Sequence, residues 1–109
     1  MGLFGSCHAS IDVSEANRRA QAGEVVLVDV REQNEWQGGH APMAKHVPLG
    51  SLSAKLPELA KSGKPVAFIC LSGGRSGKAC GTASKAGIEA INVKGGMGAW
   101  TSAGLPVAR

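Results

Sequence analysis

Short apolar runs set the framework of this chain. Residues 25–30 (VVLVDV) and 66–70 (VAFIC) are apolar at every position except Asp29. Such runs are typical of parallel strands covered on both faces, whereas a surface strand alternates apolar and polar positions. The segments at residues 88–93 and 46–49 predict a further strand and a short edge strand. The pattern therefore predicts a sheet built largely of buried strands.

Helical patterns occupy the segments between these strands. Ser14 predicts the N-terminal cap of a first helix, and Gly23 its end. Leucines recur at i, i+4 and i+7 within residues 52–59, where Pro57 is expected to split or restart the helix. Residues 76–86 are mostly small, which predicts a slim helix packed closely on the sheet. Strands that alternate with helices imply an α/β fold, a parallel sheet with helices on both faces, in which ligands bind beyond the carboxyl ends of the strands.

Length and composition limit the class of protein. The 109 residues allow one compact domain, which we place at residues 9–109 behind a short N-terminal arm of residues 1–8. No apolar run approaches the ~20 residues of a membrane span, so no membrane partner is expected. The net charge of +4 is spread over scattered cations, and aromatic residues make up only 4%. This balance argues against nucleic acid as a partner and favours a small anionic substrate.

Three cysteines, Cys7, Cys70 and Cys80, cannot all pair with one another. With no CxxC pair and no signal peptide ahead of the first strand, the expected location is the reducing cytoplasm. Cys80 falls on the predicted slim helix and is expected to pack in the core, while Cys7 is expected to be exposed in the arm. A disulfide from either of them to Cys70 stays open at this point. The cysteines and histidines do not have the spacing of a zinc site, and no metal is expected.

Cys70 stands where the chemistry is expected, at the carboxyl end of a buried strand. A single buried cysteine is most often an inert part of a core, but the residues that follow this one change the interpretation. Gly73 and Gly74 allow a tight loop whose N–H groups turn inward and bind an anion, and the helix beginning near Ser76 adds its positive end. Arg75 adds a permanent cation, and all these effects favour the thiolate. The predicted substrate-binding loop comprises Leu71, Ser72, Gly73, Gly74, Arg75 and Ser76.

Four motifs in order give the chain a resemblance to the rhodanese homology family. They are LVDVRE at residues 27–32, the segment from Gly39-His40 to Val47-Pro48-Leu49, the Cys70-x-x-Gly73-x-Arg75 loop, and VKGGMGAW followed by GLPV at residues 93–107. The resemblance covers residues 9–107. Ala41 stands where the family usually has Ile, and Met43 where it often has Gly, which concerns the packing of that turn and not the chemistry.

The resemblance implies a five-stranded parallel sheet flanked by helices, with the active loop after the fourth strand. It also implies a sulfurtransferase that works through a persulfide on Cys70. The thiolate would attack the outer sulfur of thiosulfate or a similar donor and release sulfite, with the loop amides and Arg75 stabilising the charge. A thiol or cyanide acceptor, or a protein acceptor, would then take the sulfur. No metal or organic cofactor is needed for this chemistry.

Asp29 and Arg31 allow two interpretations. They could orient the active loop or pair with Arg75 behind it, or they could form a structural ion pair that ties the loop of residues 31–40. We favour the structural ion pair. The other residues expected to be structural are Trp36, His40 and Trp100.

Two other functions compete with a sulfurtransferase. A cysteine-dependent phosphatase or arsenate reductase of the HCxxxxxR type has five residues between cysteine and arginine, but here four separate Cys70 from Arg75, and Ile69 replaces the histidine. A sulfur carrier or a regulatory module would act on a protein partner. The chain keeps both Cys70 and Arg75, which favours an active domain, yet a carrier differs from an enzyme mainly in its acceptor.

Overall fold

The computed structural model describes residues 9–109 and shows, within them, one five-stranded parallel sheet. Its strands in chain order are β1 (Ala9–Ile11), β2 (Val26–Asp29), β3 (Lys45–His46), β4 (Val66–Ile69) and β5 (Ala90–Val93). Their order across the sheet is β1-β5-β4-β2-β3, and every neighbouring pair is parallel. The α/β class and the parallel sheet predicted from the sequence are confirmed. Because the strands are parallel, all their carboxyl ends lie at one edge of the sheet.

Helices cover both faces of this sheet, as predicted. They are α1 (Val13–Gln21), α2 (Gln33–Gln37), α3 (Leu52–Ala60), α4 (Gly74–Lys85) and α5 (Gly96–Ser102), with a 3-10 turn at Leu49–Ser51. Side chains of β2 alternate between the faces. Val28 joins the core beneath α3 and α4, and Leu27 joins the core beneath α1 and α5. None of the helices within residues 9–109 is long and apolar enough to cross a membrane.

Two details of the predicted helices are wrong. Helix α1 is capped by Asp12, whose side chain accepts a hydrogen bond from the Glu15 N–H at 2.9 Å, and not by Ser14. Pro57 lies inside α3 and does not divide it. The carbonyl that loses its helical partner to this proline belongs to Ser53, an exposed residue, so water can replace the missing bond.

The first strand, β1, has no counterpart in the sequence pattern. It is three residues long and mostly exposed, and it pairs with one edge of β5 through the register Ala9 to Ile91. Only the family resemblance implied a fifth strand. Cys7 lies outside the described residues, so the expectations for it stay predictions.

Trp100 is the largest fully buried side chain of the described residues, and it fixes the chain after α5. Its indole N–H donates to the Pro106 carbonyl at 2.8 Å. A buried indole with its polar atom satisfied is a packing anchor, the role that the sequence analysis expected. Helix α5 is thereby held against the carboxyl edge of the sheet.

Candidate active site

Cys70 follows β4 directly, at the carboxyl edge and in the centre of the sheet. Its side chain is 1% exposed, and the sulfur faces the following loop. The Gly73 N–H donates to Sγ at 3.0 Å, and the Ser76 hydroxyl lies 3.3 Å from Sγ. Gly73 has a φ of +122°, a conformation that strongly favours glycine and turns its N–H towards the sulfur. The loop is therefore built around the sulfur atom.

The environment of Cys70 favours its thiolate. Burial raises the pKa of this thiol, but hydrogen bonds from the Ser76 hydroxyl and from the backbone of Ser76, Gly73 and Ser72 together lower the pKa by more. Cys80, on α4, provides the contrast, because burial raises the pKa of its thiol to about 12. Within the described residues both cysteines are free thiols. Cys80 packs in the core as predicted, and the two thiols of similar burial differ in their hydrogen bonds.

Ser76 joins the sulfur to a residue that the sequence analysis missed. Its hydroxyl oxygen is fully buried and lies 2.6 Å from Oδ1 of Asn92 and 3.1 Å from the Gly73 carbonyl oxygen, in addition to Sγ. The Asn92 amide N–H donates to the same Gly73 carbonyl at 3.4 Å. Asn92 belongs to β5. In the sequence, Asn92 could have been identified as a polar amide near the carboxyl end of an otherwise apolar strand.

Arg75 is held by a carboxylate and not by the cysteine sulfur. Its two terminal nitrogens donate to the two oxygens of Glu35 at 2.7 and 2.9 Å. The hydrogen bonds from Arg75 outweigh burial and hold the pKa of Glu35 at about 2, and the same pair raises the pKa of Arg75. The pairing with Glu35 was not predicted, whereas the charge interaction between Arg75 and Cys70 is retained, since it too raises the pKa of Arg75. Two of the five N–H donors of the guanidinium are used by Glu35, and its charge is largely compensated.

Asp29 and Arg31 form the structural ion pair that the sequence analysis favoured. Both side chains are buried, and the Arg31 Nη2 donates to Asp29 Oδ2 at 2.8 Å and to the Gly39 carbonyl at 2.7 Å. The interaction ties the two ends of the loop that contains α2. The alternative in which these residues pair with Arg75 is wrong, because Arg31 donates to both oxygens of Asp29 and Glu35 holds Arg75. Their effect on the active loop is thus indirect, through the placement of α2.

Trp36 and His40 are structural, as expected, and their rings stack at a centroid distance of 3.5 Å. His46 stacks on Trp36 as well, at 4.7 Å, and its Nε2 is hydrogen-bonded to the Arg31 carbonyl at 2.8 Å. This stack packs α2 against the segment that leads into β3. It therefore fixes the helix from which Glu35 reaches Arg75.

Helix α5 holds the first residues of the active loop through its own N-terminus. The Met97 N–H donates to the Cys70 carbonyl at 2.7 Å, and the Gly98 N–H donates to the Leu71 carbonyl at 3.0 Å. Gly96 makes this approach possible, since a Cβ there would collide with the carbonyl oxygens of both residues, that of Leu71 at 2.5 Å. Gly96 therefore allows α5 to approach the loop that carries the cysteine.

A surface groove of about 740 Å³ adjoins this loop. Leu71, 50% exposed, and Val107, 36% exposed, are the exposed large hydrophobic side chains of the described residues, and both line it. The other residues in its wall include Arg31, Glu35, Met97 and Arg109. The groove therefore places exposed apolar surface at Leu71, the first residue after Cys70.

The arrangement supplies a nucleophile and donors for negative charge. Within residues 9–109, no three His, Cys, Asp or Glu side chains lie close enough together to hold a metal ion. A buried thiolate surrounded by N–H and O–H donors can attack an electrophilic atom that fits the loop, and it can later leave again as a stabilised anion. Such an arrangement is suited to covalent chemistry at a cysteine.

Known proteins share this fold and much of the sequence. The family described as "Rhodanese-like domain" matches residues 12–103. A sulfurtransferase of Allochromatium vinosum is 34% identical over 95 residues, which are 86% of this chain and 88% of that protein. The HTH-type transcriptional regulator Rv0324 of Mycobacterium tuberculosis is 38% identical over 109 residues, 96% of this chain, but the match spans only 47% of the regulator.

A solved structure supports the same family. The crystal structure of a rhodanese-related protein from Thermoplasma volcanium superposes with a TM-score of 0.83 at 29% identity, covering 93% of this chain and 98% of that one. The likeness to known proteins therefore holds for the fold as well as for the sequence. With its parallel five-stranded sheet and a cysteine loop at the end of the central strand, this chain belongs to the rhodanese-like domain family.

Proposed function

We propose that this domain is a sulfurtransferase that carries a sulfane sulfur on Cys70 as a persulfide. The observation that carries the proposal is the hydrogen bonding of the Cys70 sulfur, which accepts from Gly73 at 3.0 Å and lies 3.3 Å from the Ser76 hydroxyl. These groups stabilise a charge on sulfur at the bottom of a short loop. The similarity to a sulfurtransferase over nearly the whole chain supports the same assignment.

In the first half-reaction the thiolate attacks the outer sulfur of thiosulfate or a similar donor. A bond forms between Sγ and that sulfur, the bond from the outer sulfur to the sulfonate sulfur breaks, and its electron pair leaves with sulfite. The proposed contacts to the donor come from the loop of Leu71, Ser72, Gly73, Gly74, Arg75 and Ser76. The three N–H donors that Arg75 does not use on Glu35 are suited to the sulfonate oxygens.

In the second half-reaction an acceptor, cyanide or a thiol, attacks the outer sulfur of the persulfide. The bond to Sγ breaks, and Cys70 leaves as a thiolate. A thiol of lowered pKa is the better leaving group, so the hydrogen bonds that help the first step help the second one too. The charge at Sγ is stabilised at the beginning and at the end of the cycle.

The short loop favours sulfur over phosphorus chemistry. Four residues separate Cys70 from Arg75, and the Gly73 N–H already contacts Sγ. On the cysteine, a phosphoryl group would bring three oxygens into the loop, each needing its own donor, whereas the sulfonate of thiosulfate leaves as sulfite and one sulfur atom stays. A single sulfur atom needs fewer donors and less space, which supports a sulfurtransferase over a phosphatase.

A second candidate function is a sulfur carrier or regulatory module that acts on a protein partner. The observation that favours it is the groove beside the loop, which Leu71 and Val107 line with exposed apolar surface. Such surface is useful to an acceptor larger than cyanide. Slow turnover with thiosulfate and cyanide, together with rapid transfer to a purified protein, would select this candidate.

Intact-mass spectrometry after treatment with thiosulfate tests the proposal. We expect a gain of one sulfur atom that a reducing agent removes. Cys70→Ser should abolish the gain, and Cys80→Ala, which alters a buried thiol of raised pKa, should keep it. An unmodified wild-type protein, or a gain that survives in Cys70→Ser, would overturn the assignment of Cys70.

A further inference from the structure

The buried hydroxyl of Ser76 has more acceptors than it can serve. It carries one proton, and three acceptors surround its oxygen: Asn92 Oδ1 at 2.6 Å, the Gly73 carbonyl at 3.1 Å and Cys70 Sγ at 3.3 Å. The shortest of these contacts is to Asn92 and not to the sulfur. A hydroxyl can donate to one acceptor well at a time, so the state of Cys70 decides which one receives the proton.

We propose that Asn92 is a positioning residue that accepts the Ser76 hydroxyl while Cys70 is uncharged and releases it to Sγ when the thiolate forms. Its part in the catalytic cycle rests on the proposed function, whereas its effect on the ionisation of Cys70 does not. Asn92 touches neither Sγ nor a substrate in this arrangement and acts through Ser76.

The orientation of the Asn92 amide follows from its other contact. The Gly73 carbonyl can only accept, so the group 3.4 Å from it is the amide N–H, and the carbonyl oxygen of Asn92 then faces Ser76. The reversed amide would bring two carbonyl oxygens together. Asn92 thus presents an acceptor to Ser76 and a donor to the loop, and it spans from β5 to the turn that carries Gly73.

The two states of Cys70 use these groups differently. In the thiol state the S–H donates to the Ser76 oxygen, and the Ser76 O–H donates to Asn92. When Cys70 loses its proton to solvent, the Ser76 O–H turns to Sγ, and Asn92 Oδ1 loses its donor. Because Asn92 Oδ1 competes with Sγ for the Ser76 hydroxyl, it reduces the stabilisation that this hydroxyl gives the thiolate.

Formation of the persulfide reverses this change of hydrogen-bond partner. In the persulfide the charge moves to the outer sulfur, about 2 Å beyond Sγ. Sγ is then an uncharged, weak acceptor, and the Ser76 hydroxyl returns to Asn92. The Ser76 hydroxyl thereby donates to Sγ when Cys70 is a thiolate and to Asn92 when Cys70 is a thiol or a persulfide.

Charged groups near Cys70 on neighbouring elements stay constant in this comparison. Arg75 on α4 is paired with Glu35 on α2, and the buried pair of Asp29 and Arg31 lies at the carboxyl end of β2. Cys80, also on α4, is an uncharged thiol at neutral pH. Substitutions at Asn92 leave all of them unaltered.

The test measures the alkylation rate of Cys70 with iodoacetamide against pH, followed by mass spectrometry of the Cys70 peptide. Asn92→Ala removes the competing acceptor, and we expect the apparent pKa to fall by about 0.5–1. Asn92→Asp keeps an acceptor for the Ser76 hydroxyl, replaces the N–H that faces the Gly73 carbonyl by an oxygen and adds negative charge, so the pKa should rise by about 1 or more. The fall in Asn92→Ala distinguishes the proposal from simple damage to the loop, which would remove donors from Sγ and raise the pKa.

A double-mutant cycle shows whether the effect passes through Ser76. In a Ser76→Ala background, Asn92→Ala should no longer lower the pKa of Cys70. An equal fall with and without Ser76, or no change with Ser76 present, would overturn the proposal. If Asn92→Ala does not fold, an unchanged or lowered pKa of Cys70 in Asn92→Asp would by itself overturn the proposal. The measurement needs no sulfur donor, so it stands even if the domain transfers no sulfur.

Discussion

Gly96→Ala is a sharp test of how the active loop is held. The new Cβ would collide with the carbonyl oxygens of Cys70 and Leu71, the latter at 2.5 Å, and both are backbone atoms that cannot rotate away. Gly96 also has a φ of +55°, which costs a residue with a side chain about 1–2 kcal/mol. The collision displaces the N–H groups of Met97 and Gly98 from the loop carbonyls, at about 1 kcal/mol for each hydrogen bond.

These effects add to a loss of about 3–4 kcal/mol in the free energy of unfolding, or a fall of more than about 10 °C in Tm. Urea and thermal unfolding followed by circular dichroism measure it, and alkylation of Cys70 should show a raised pKa because the loop loses its shape. Gly98→Ala is the matched control, since its Cβ would lie 3.5 Å from the Leu71 carbonyl, an ordinary contact, and its N–H is retained. If Gly96→Ala unfolds within about 0.5 kcal/mol of Gly98→Ala, the close approach of α5 does not hold the loop.

Three further predictions concern the charged groups of the site. Ser76→Ala should raise the pKa of Cys70 by about 1–2, the value of a hydrogen bond to a charged group, and the pH profile of alkylation measures it; an unchanged profile would show that the backbone amides suffice. Glu35 has a folded-state pKa of about 2 against its ordinary 4.5, so its pairing stabilises the fold above pH 4.5 and is lost as the pH falls towards 2. Urea unfolding from pH 6 to about pH 2 should therefore show a steeper loss of stability in wild type than in Glu35→Gln, and parallel curves would contradict the assignment. Arg75→Ala should weaken the use of thiosulfate about tenfold or more, seen mainly in KM, whereas alkylation by uncharged iodoacetamide should change less. Equal kcat/KM for thiosulfate in variant and wild type would exclude Arg75 from donor binding.

The sequence was sufficient for the parts of the site that are local in the chain. The apolar run before Cys70, the glycines after it and the small residues of α4 are adjacent, and each has a conformational preference that can be interpreted without the rest of the molecule. The strand and the turn accordingly lie where the pattern predicted, and the helix begins at Gly74, two residues before the expected start near Ser76. Cys80 was interpreted correctly for the same reason, because its position on the slim helix indicates burial.

The partners of these local elements could not be predicted in the same way. Glu35 is forty residues from Arg75 in the chain, and several carboxylates could have paired with that arginine. Asn92 meets Ser76 because β5 lies beside β4, which is a property of strand order and not of either residue. β1 was missed since three mostly exposed residues have no periodicity to detect. The cap of α1 was misplaced by two residues, because Asp12 and Ser14 are both good caps and the end of β1 decides between them.

The contact between α5 and the loop after Cys70 also bears on when Cys70 can become reactive during synthesis of the chain. Met97 and Gly98 supply the amides that fix the Cys70 and Leu71 carbonyls, so a ribosome must translate past both before the loop can be completed. Until then the loop lacks these two contacts, and we expect the pKa of its thiol to lie nearer the ordinary value of a cysteine. We therefore expect Cys70 to acquire its lowered pKa only once α5 has been made, when the strands and helices before α5 can already cover it.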